Sequence, residues 1–263
     1  MICARRVALN NTQLDQVDNS IVIRSVEPAD GKESITAVPM ASGCGQRVTA
    51  RRRDTMDIVV RFAIHIRRND LAGRATALEK VNAWAAIASD GAWLTVNYKT
   101  GRRLWVVLAQ APGEGSLWDY NKEFQITFRA YAVPYWEDST ATTVTSDVDD
   151  YDDMTITVPG NAETVVEIAL TNKSESTINA LTITVDGKSM TFASLGLESN
   201  ATLTLDHVQT GRQYYFRARI GTTSVMAKRS GVDDFKVNPG NRIVIFSADQ
   251  DAQAVVSVKG RYL

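Results

Sequence analysis

From Met154 to the C-terminus the chain never sustains a helical period. Short alternating runs recur about every ten residues instead. They are MTITV (154–158), TVVEIALT (164–171), LTITVDGKSMTF (181–192), ATLTLDH (201–207), RQYYFRARI (212–220), FKVNPGNRIVIFSA (235–248) and AVVSVKGRYL (254–263). Turn formers sit between or within them: Pro159-Gly160-Asn161, Asp186-Gly187 and Pro239-Gly240-Asn241. Asp-Gly between two alternating runs is a hairpin signal, because both residues accept the positive φ of a tight turn. Period-two strands with such punctuation fold as a sandwich or a barrel. Residues 154–263 are therefore predicted to be all β.

The first part of the chain mixes strands with one helix. DIVVRFAIHI (57–66) alternates cleanly, with Ile58, Val60, Phe62, Ile64 and Ile66 on one face. QRVTARRRD (46–54) precedes it and is expected to pair with it through a turn near Asp54-Thr55. Leu71, Ala75, Leu78, Val81, Ala85 and Ala88 recur at three- and four-residue spacing, with Trp84 widening the stripe. Asn69 or Asp70 is the expected N-cap, and Gly91 the expected C-terminal stop. AWLTVNY (92–98) and RRLWVVLAQ (102–110) flank Lys99-Thr100-Gly101 as a hairpin, and FQITFRAYAV (124–133) alternates again. Residues 24–45 have weak periodicity, and ESITAV within them reads as an extended arm.

FRAYAVPYWEDST (128–140) changes character halfway. Pro134 lacks a backbone donor and disfavours continuing a central strand. Tyr135 and Trp136 are expected to pack back on the first module. SDVDDYDD (146–153) reads as a solvated, charge-extended linker. The expected division is therefore a first domain at 1–136, an acidic linker at 137–153 and a second domain at 154–263, with Pro134, Tyr135 and Trp136 as the boundary corner.

The 263 residues are 44% hydrophobic and 22% charged, enough for two moderate cores. Net charge is −1. Residues 1–140 carry 18 Lys+Arg against 15 Asp+Glu and residues 141–263 carry 11 against 15, an asymmetry too small for a polyanion-binding face. No run approaches the roughly 18 apolar residues of a membrane helix. MICARRVALNN has no apolar stretch of signal-peptide length. The chain is thus expected to be made in a cytoplasm and to stay soluble. Cys3 and Cys44 form no C-x-x-C pattern and read as free thiols.

No constellation of catalytic groups emerges. His65 lies beside Arg61 and Arg67 on the alternate face of its strand, and His207 follows Asp206 at a strand end. Adjacency in sequence is not triad geometry, and no G-x-S-x-G elbow, phosphate loop, dinucleotide fingerprint or zinc spacing occurs. DVDDYDD (147–153) crowds oxygen ligands but lacks the Gly and terminal Glu of an EF-hand loop. RRR (51–53) has no interleaved aromatics for single-stranded nucleic acid. Trp93, Trp105 and Trp118 are candidates for a sugar platform, yet Trp93 and Trp105 fall in alternating strands, where core packing is the expected use. The expectation is a protein without enzymatic activity, cofactor or metal.

The order of elements resembles the distal tail protein (Dit) family of long-tailed bacteriophages. The resemblance runs from VALNNTQL through QRVTARRRDTMDIVVRFAIHI, the helix, RRLWVVL and FQITFRAYAVPYW to FKVNPGNRIVIFSA and a final strand. The Pro-x-Trp ending at 134–136 is its most specific single feature. The resemblance implies a mainly β protein: an N-terminal β-sandwich or tail-tube-like domain with one α-helix, then a C-terminal galectin-like β-sandwich. It implies a homo-hexameric ring at the virion tail tip. The ring's partners would be the tail-tube protein, tail-tip or tail-associated proteins and a receptor-binding protein, with no nucleic-acid sequence recognition and no membrane insertion. The alternative is a carbohydrate-binding module acting in host-surface recognition, in which Tyr214 or Tyr215 would matter. The galectin-like fold alone would not imply sugar binding.

Overall fold

A computed structural model describes residues 6–28, 33–39, 46–113 and 123–263. Cys3, Cys44 and Trp118 lie outside the described residues. The contacts divide the chain into two units: Met1–Tyr135 with Thr210–Gln213, and Trp136–Gln209 with Tyr214–Leu263.

The first unit holds β1 (Val7–Leu9), β2 (Thr12–Gln13), β3 (Ile21–Pro28), β4 (Glu33–Pro39), β5 (Gln46–Arg53), β6 (Met56–Ile64), α1 (Leu71–Ala86), β7 (Ala92–Val96), β8 (Arg102–Gln110) and β9 (Phe124–Ala130). Its main strands bond in the order β2-β1-β7-β8-β9-β6-β3. β8 works twice: Leu104–Val106 pair with β7, and Val107–Gln110 pair with β9. The alternation read at 57–66 holds in β6, where Ile58, Val60, Phe62 and Ile64 are all buried. Ala132 is exposed, because β9 ends at Ala130.

Two pairings depart from expectation. β5 does not join β6. It pairs with β4 as a separate two-stranded hairpin, Glu33 opposite Arg53 and Pro39 opposite Gln46. β6 is flanked by β3 and β9 instead. Adjacency in sequence favoured the short connection, but β3 and β9 offer β6 two apolar neighbours, whereas β5 is rich in arginine.

Helix α1 starts as its sequence directs. The Asp70 carboxylate accepts from the Gly73 amide at 2.8 Å, satisfying an amide with no intrahelical partner. Asp70→Ala is expected to cost about 1 kcal/mol of first-unit stability and Asp70→Asn much less, measured by urea denaturation. Ala77, Leu78, Val81, Trp84 and Ala85 are buried. Trp84 meets Phe128 of β9 edge-on at 5.8 Å, and its indole N–H donates to the Thr12 carbonyl at 2.8 Å. The helix ends at Ala86, so Gly91 is not its immediate stop. Gly91 serves a different need. Its φ is +101°, and a Cβ there would overlap the Trp105 indole.

The second unit holds β10 (Trp136–Asp138), β11 (Thr142–Val148), β12 (Asp152–Val158), β13 (Thr164–Asn172), β14 (Leu181–Val185), β15 (Lys188–Phe192), β16 (Thr202–Thr210), β17 (Gln213–Ile220), β18 (Thr223–Ser224), β19 (Arg229–Gly231), β20 (Lys236–Val237), β21 (Gly240–Ala248), β22 (Ala252–Val258) and β23 (Arg261–Tyr262). One sheet runs β11-β22-β13-β16-β17-β18, with β20 beside β13; the other runs β12-β21-β14-β15-β19. Their inner faces share one core, including Ile156, Val166, Ile168, Ile183, Phe192, Leu205, Phe246 and Val256. Asp186 and Gly187 have φ of 50° and 75°, as the Asp-Gly hairpin requires.

The acidic linker is a correction. Residues 137–153 are structured: Thr142–Val148 pairs along β22, and Asp152–Val158 pairs along β21. The two strands lie in different sheets, so the acidic run is where the chain passes from one sheet to the other. Its charge is compatible with strand because the carboxylates crowd the turn and edge, while Val148 and Met154 go to the core.

Candidate interaction surfaces

The boundary corner splits between the two units. Val133 and Pro134 are buried, and Tyr135 is half-buried with the Arg53 guanidinium 5.1 Å from its ring. Trp136 is 2% exposed. It opens β10 and stands opposite Tyr262 of β23 within the second unit.

That closing pair of strands carries a buried polar cluster. Glu137 and Arg261 are each 7% exposed. Arg261 Nε and Nη2 both donate to Glu137 Oε1 at 3.2 Å, and Nη2 also donates to the Tyr214 hydroxyl at 2.8 Å. The Tyr214 ring stacks on His207, with centroids 5.1 Å apart and planes 14° apart. Burial pushes the Tyr214 hydroxyl well above the usual phenol range. Burial lowers the pKa of His207, while Asp234 beside it pulls the other way. β23 is also strapped by its backbone: Asn161 and Ala162 amides donate to the Arg261 carbonyl at 2.9 and 3.1 Å. Gly160, at φ +105°, lets that carbonyl approach where any Cβ would overlap it.

The cluster was not read from sequence. RYL at the chain end and WED after the corner look unrelated, and only the antiparallel pairing of Glu137 with Arg261 joins them. Tyr214, considered for glycan stacking, is committed to Arg261 and His207. Tyr215 is 46% exposed. His207 follows Asp206, as adjacency requires, but the Asp206 carboxylate is held by Arg217 and Arg219.

The remaining candidates separate. His65 Nε2 stands 2.9 Å from the Arg24 guanidinium on an exposed face. Trp93 and Trp105 are a cross-strand pair, 5.1 Å apart and near-perpendicular. Contrary to expectation, they are not core residues. Both are half-buried, on the face opposite Leu94 and Leu104, with the Arg103 guanidinium 3.8 Å over the Trp93 ring. Asp149 and Asp152 are tied in a turn, the Asp149 amide donating to the Asp152 carboxylate at 2.6 Å. Among the described residues no group of three or more His, Cys, Asp or Glu side chains is placed to hold a metal ion. Among them also, no helix is long and apolar enough to cross a membrane.

The hairpin of β4 and β5 carries three exposed aliphatic side chains. Ile35 is 55% exposed, Val38 45% and Val48 56%. β3 ends the strand order of the first unit, so its outer edge bears no strand among the described residues. Unpaired edges and apolar hairpins are surfaces that proteins cover with another chain.

No family model matches the chain, and no curated protein matches it. Solved structures do. The Dit protein of phage SPP1, described as a paradigm of the hub adsorption apparatus in phages infecting Gram-positive hosts, superposes with a TM-score of 0.65 over 97% of this chain and 98% of that one, at 13% identity. Chains of the phage P2 baseplate in its activated conformation superpose with TM-scores of 0.52 with calcium and 0.51 with strontium, each at 9% identity. Each covers 97% of this chain, and 98% and 97% of the respective baseplate chains. At these identities the likeness is one of fold. The chain has the mainly β fold of a phage tail hub protein.

Proposed function

We propose that the protein is a structural hub of a bacteriophage tail, assembled as a homo-hexameric ring at the virion tail tip between the tail tube and the tail-tip proteins. One observation carries the reading: the likeness to SPP1 Dit extends over 97% of the chain, so both units are matched in the same order. The exposed edge of β3 and the apolar hairpin of β4 and β5 fit a head-to-tail ring, in which each copy covers its neighbour's edge. The second unit then serves as the outward support for tail-tip or receptor-binding proteins. Scaffolding is the role, with no chemistry of its own.

The test is the mass of the purified protein, with negative-stain imaging. Six chains of 28.9 kDa make 6 × 28.9 = 173.4 kDa. A particle of that mass with a central channel is expected. Ile35→Asp and Val48→Asp should each reduce it to monomer while leaving the unfolding midpoint nearly unchanged, since both side chains are exposed in the single chain. A wild-type protein that stays monomeric at high concentration, alone and with its tail partners, overturns the ring.

A further inference from the structure

His207 is a titratable side chain buried in the second unit among charged groups. Its side chain is 2% exposed, held between the Tyr214 and Phe216 rings at 5.1 and 5.4 Å. Neither ring nitrogen finds a hydrogen-bond partner among the described residues. Nε2 stands 3.5 Å from Asp234 Oδ2, a carboxylate that also faces Lys236 at 3.5 Å.

Arg261 reaches the same Tyr214 ring, its guanidinium carbon 5.3 Å from the centroid. Every element packed on His207 contributes a charge. Arg261 comes from β23 and Glu137 from β10, and they pair with each other. Glu167 of β13 accepts the His207 backbone amide at 3.5 Å. Asp234 comes from just before β20 and Lys236 from its start, and Asp206 of β16 is held by Arg217 and Arg219 of β17. The anions Glu137, Glu167, Asp234 and Asp206 balance the cations Arg261, Lys236, Arg217 and Arg219. A proton on His207 therefore adds a cation whose nearest anion, Asp234 at 3.5 Å, is shared with Lys236, in a place nearly closed to water.

We infer that His207 is an acid-operated release for the last strand: a protonated ring sets a second cation against Arg261, and the β10–β23 pair opens. Arg261 is the side chain at stake because it is the cation that shares the Tyr214 ring. Once it leaves Glu137, the last strand loses its buried ion pair, while its backbone bonds with Asp138, Asn161 and Ala162 and the Tyr262 hydroxyl bond to Asp138 remain. Burial, the largest influence on His207, lowers its pKa from 6.5, with Arg261 acting the same way and Asp234 and Asp206 opposing. Between the folded value and 6.5 the folded chain binds fewer protons than the unfolded one. The neutral ring's contribution is whole above 6.5 and is lost as pH falls through that window, by at most about tenfold in the closed-to-open ratio per pH unit. The inference does not depend on ring assembly.

The experiment is amide hydrogen exchange of the whole chain between about pH 7.5 and about pH 5, corrected for the intrinsic pH dependence of exchange. Protection of the 136–138 and 260–263 amides should fall on acidification in the wild type, while β13 stays protected. In His207→Gln the fall should vanish. A fall that persists in His207→Gln, or none in the wild type, overturns the inference. Should His207→Gln fail to fold, Asp234→Asn gives a second reading. It removes the anion that favours the charged ring in the closed state, so acid opens the strand more readily and the midpoint of opening should move to higher pH. A midpoint that stays or falls refutes the release.

Discussion

Arg261→Ala is expected to destabilise the second unit by about 3–5 kcal/mol, at the upper end for any single side chain in this protein. The reason is what it leaves behind. Glu137, 7% exposed, accepts two hydrogen bonds from Arg261. Without the guanidinium it must stay charged in a poorly solvated site or take up a proton, and Tyr214 loses its donor at 2.8 Å. Urea unfolding followed through exchange of the β13 amides reads the second unit alone, as a chain with two units requires. The double variant Glu137→Leu/Arg261→Met removes both charges at similar volume and should recover most of the loss, because desolvating an ion pair offsets much of its attraction. A single-variant loss below about 1 kcal/mol would mean that water reaches the pair as it does a surface salt bridge.

The regular elements were legible because their signals are local. The 3.6 spacing from Leu71 to Ala88 places the helix, and Asp70 caps it. Alternation in DIVVRFAIHI separates buried from outward residues, and Asp186-Gly187 marks its hairpin. What misled was long-range. The short connection favours pairing β5 with β6, yet pairing follows where the apolar faces meet, and β6 sits between β3 and β9. The charge of the acidic run at 146–153 points to a solvated linker. Register with β21 and β22 overrides that composition, and Val148 and Met154 signalled it by falling on the core side. The Glu137–Arg261–Tyr214–His207 cluster joins residues from both ends of the second unit. Nothing in WED, HV, QYY or RYL announces it before the last strand folds back.

Phe128→Ala should cost the first unit about 3–5 kcal/mol, the usual price of an unfilled phenyl cavity in a core. The Phe128 ring is fully buried, and its strand neighbours are Ile58 on β6 and Leu108 on β8. It also receives the edge of Trp84, a pairing that adds about 0.5–1.5 kcal/mol beyond the buried area. Trp84 in turn binds the Thr12 carbonyl, so the loss should spread to the seating of α1 and be read as faster exchange of the helix amides. Phe128→Leu separates the two contributions. Leucine refills much of the space but offers no ring face, and its cost should stay near or below about 1.5 kcal/mol. If alanine and leucine cost the same, the aromatic contact dominates and the helix is held chiefly by Trp84 on Phe128. If only alanine is costly, volume dominates, and the helix is seated by the apolar stripe of Ala77, Leu78, Val81 and Ala85 around it.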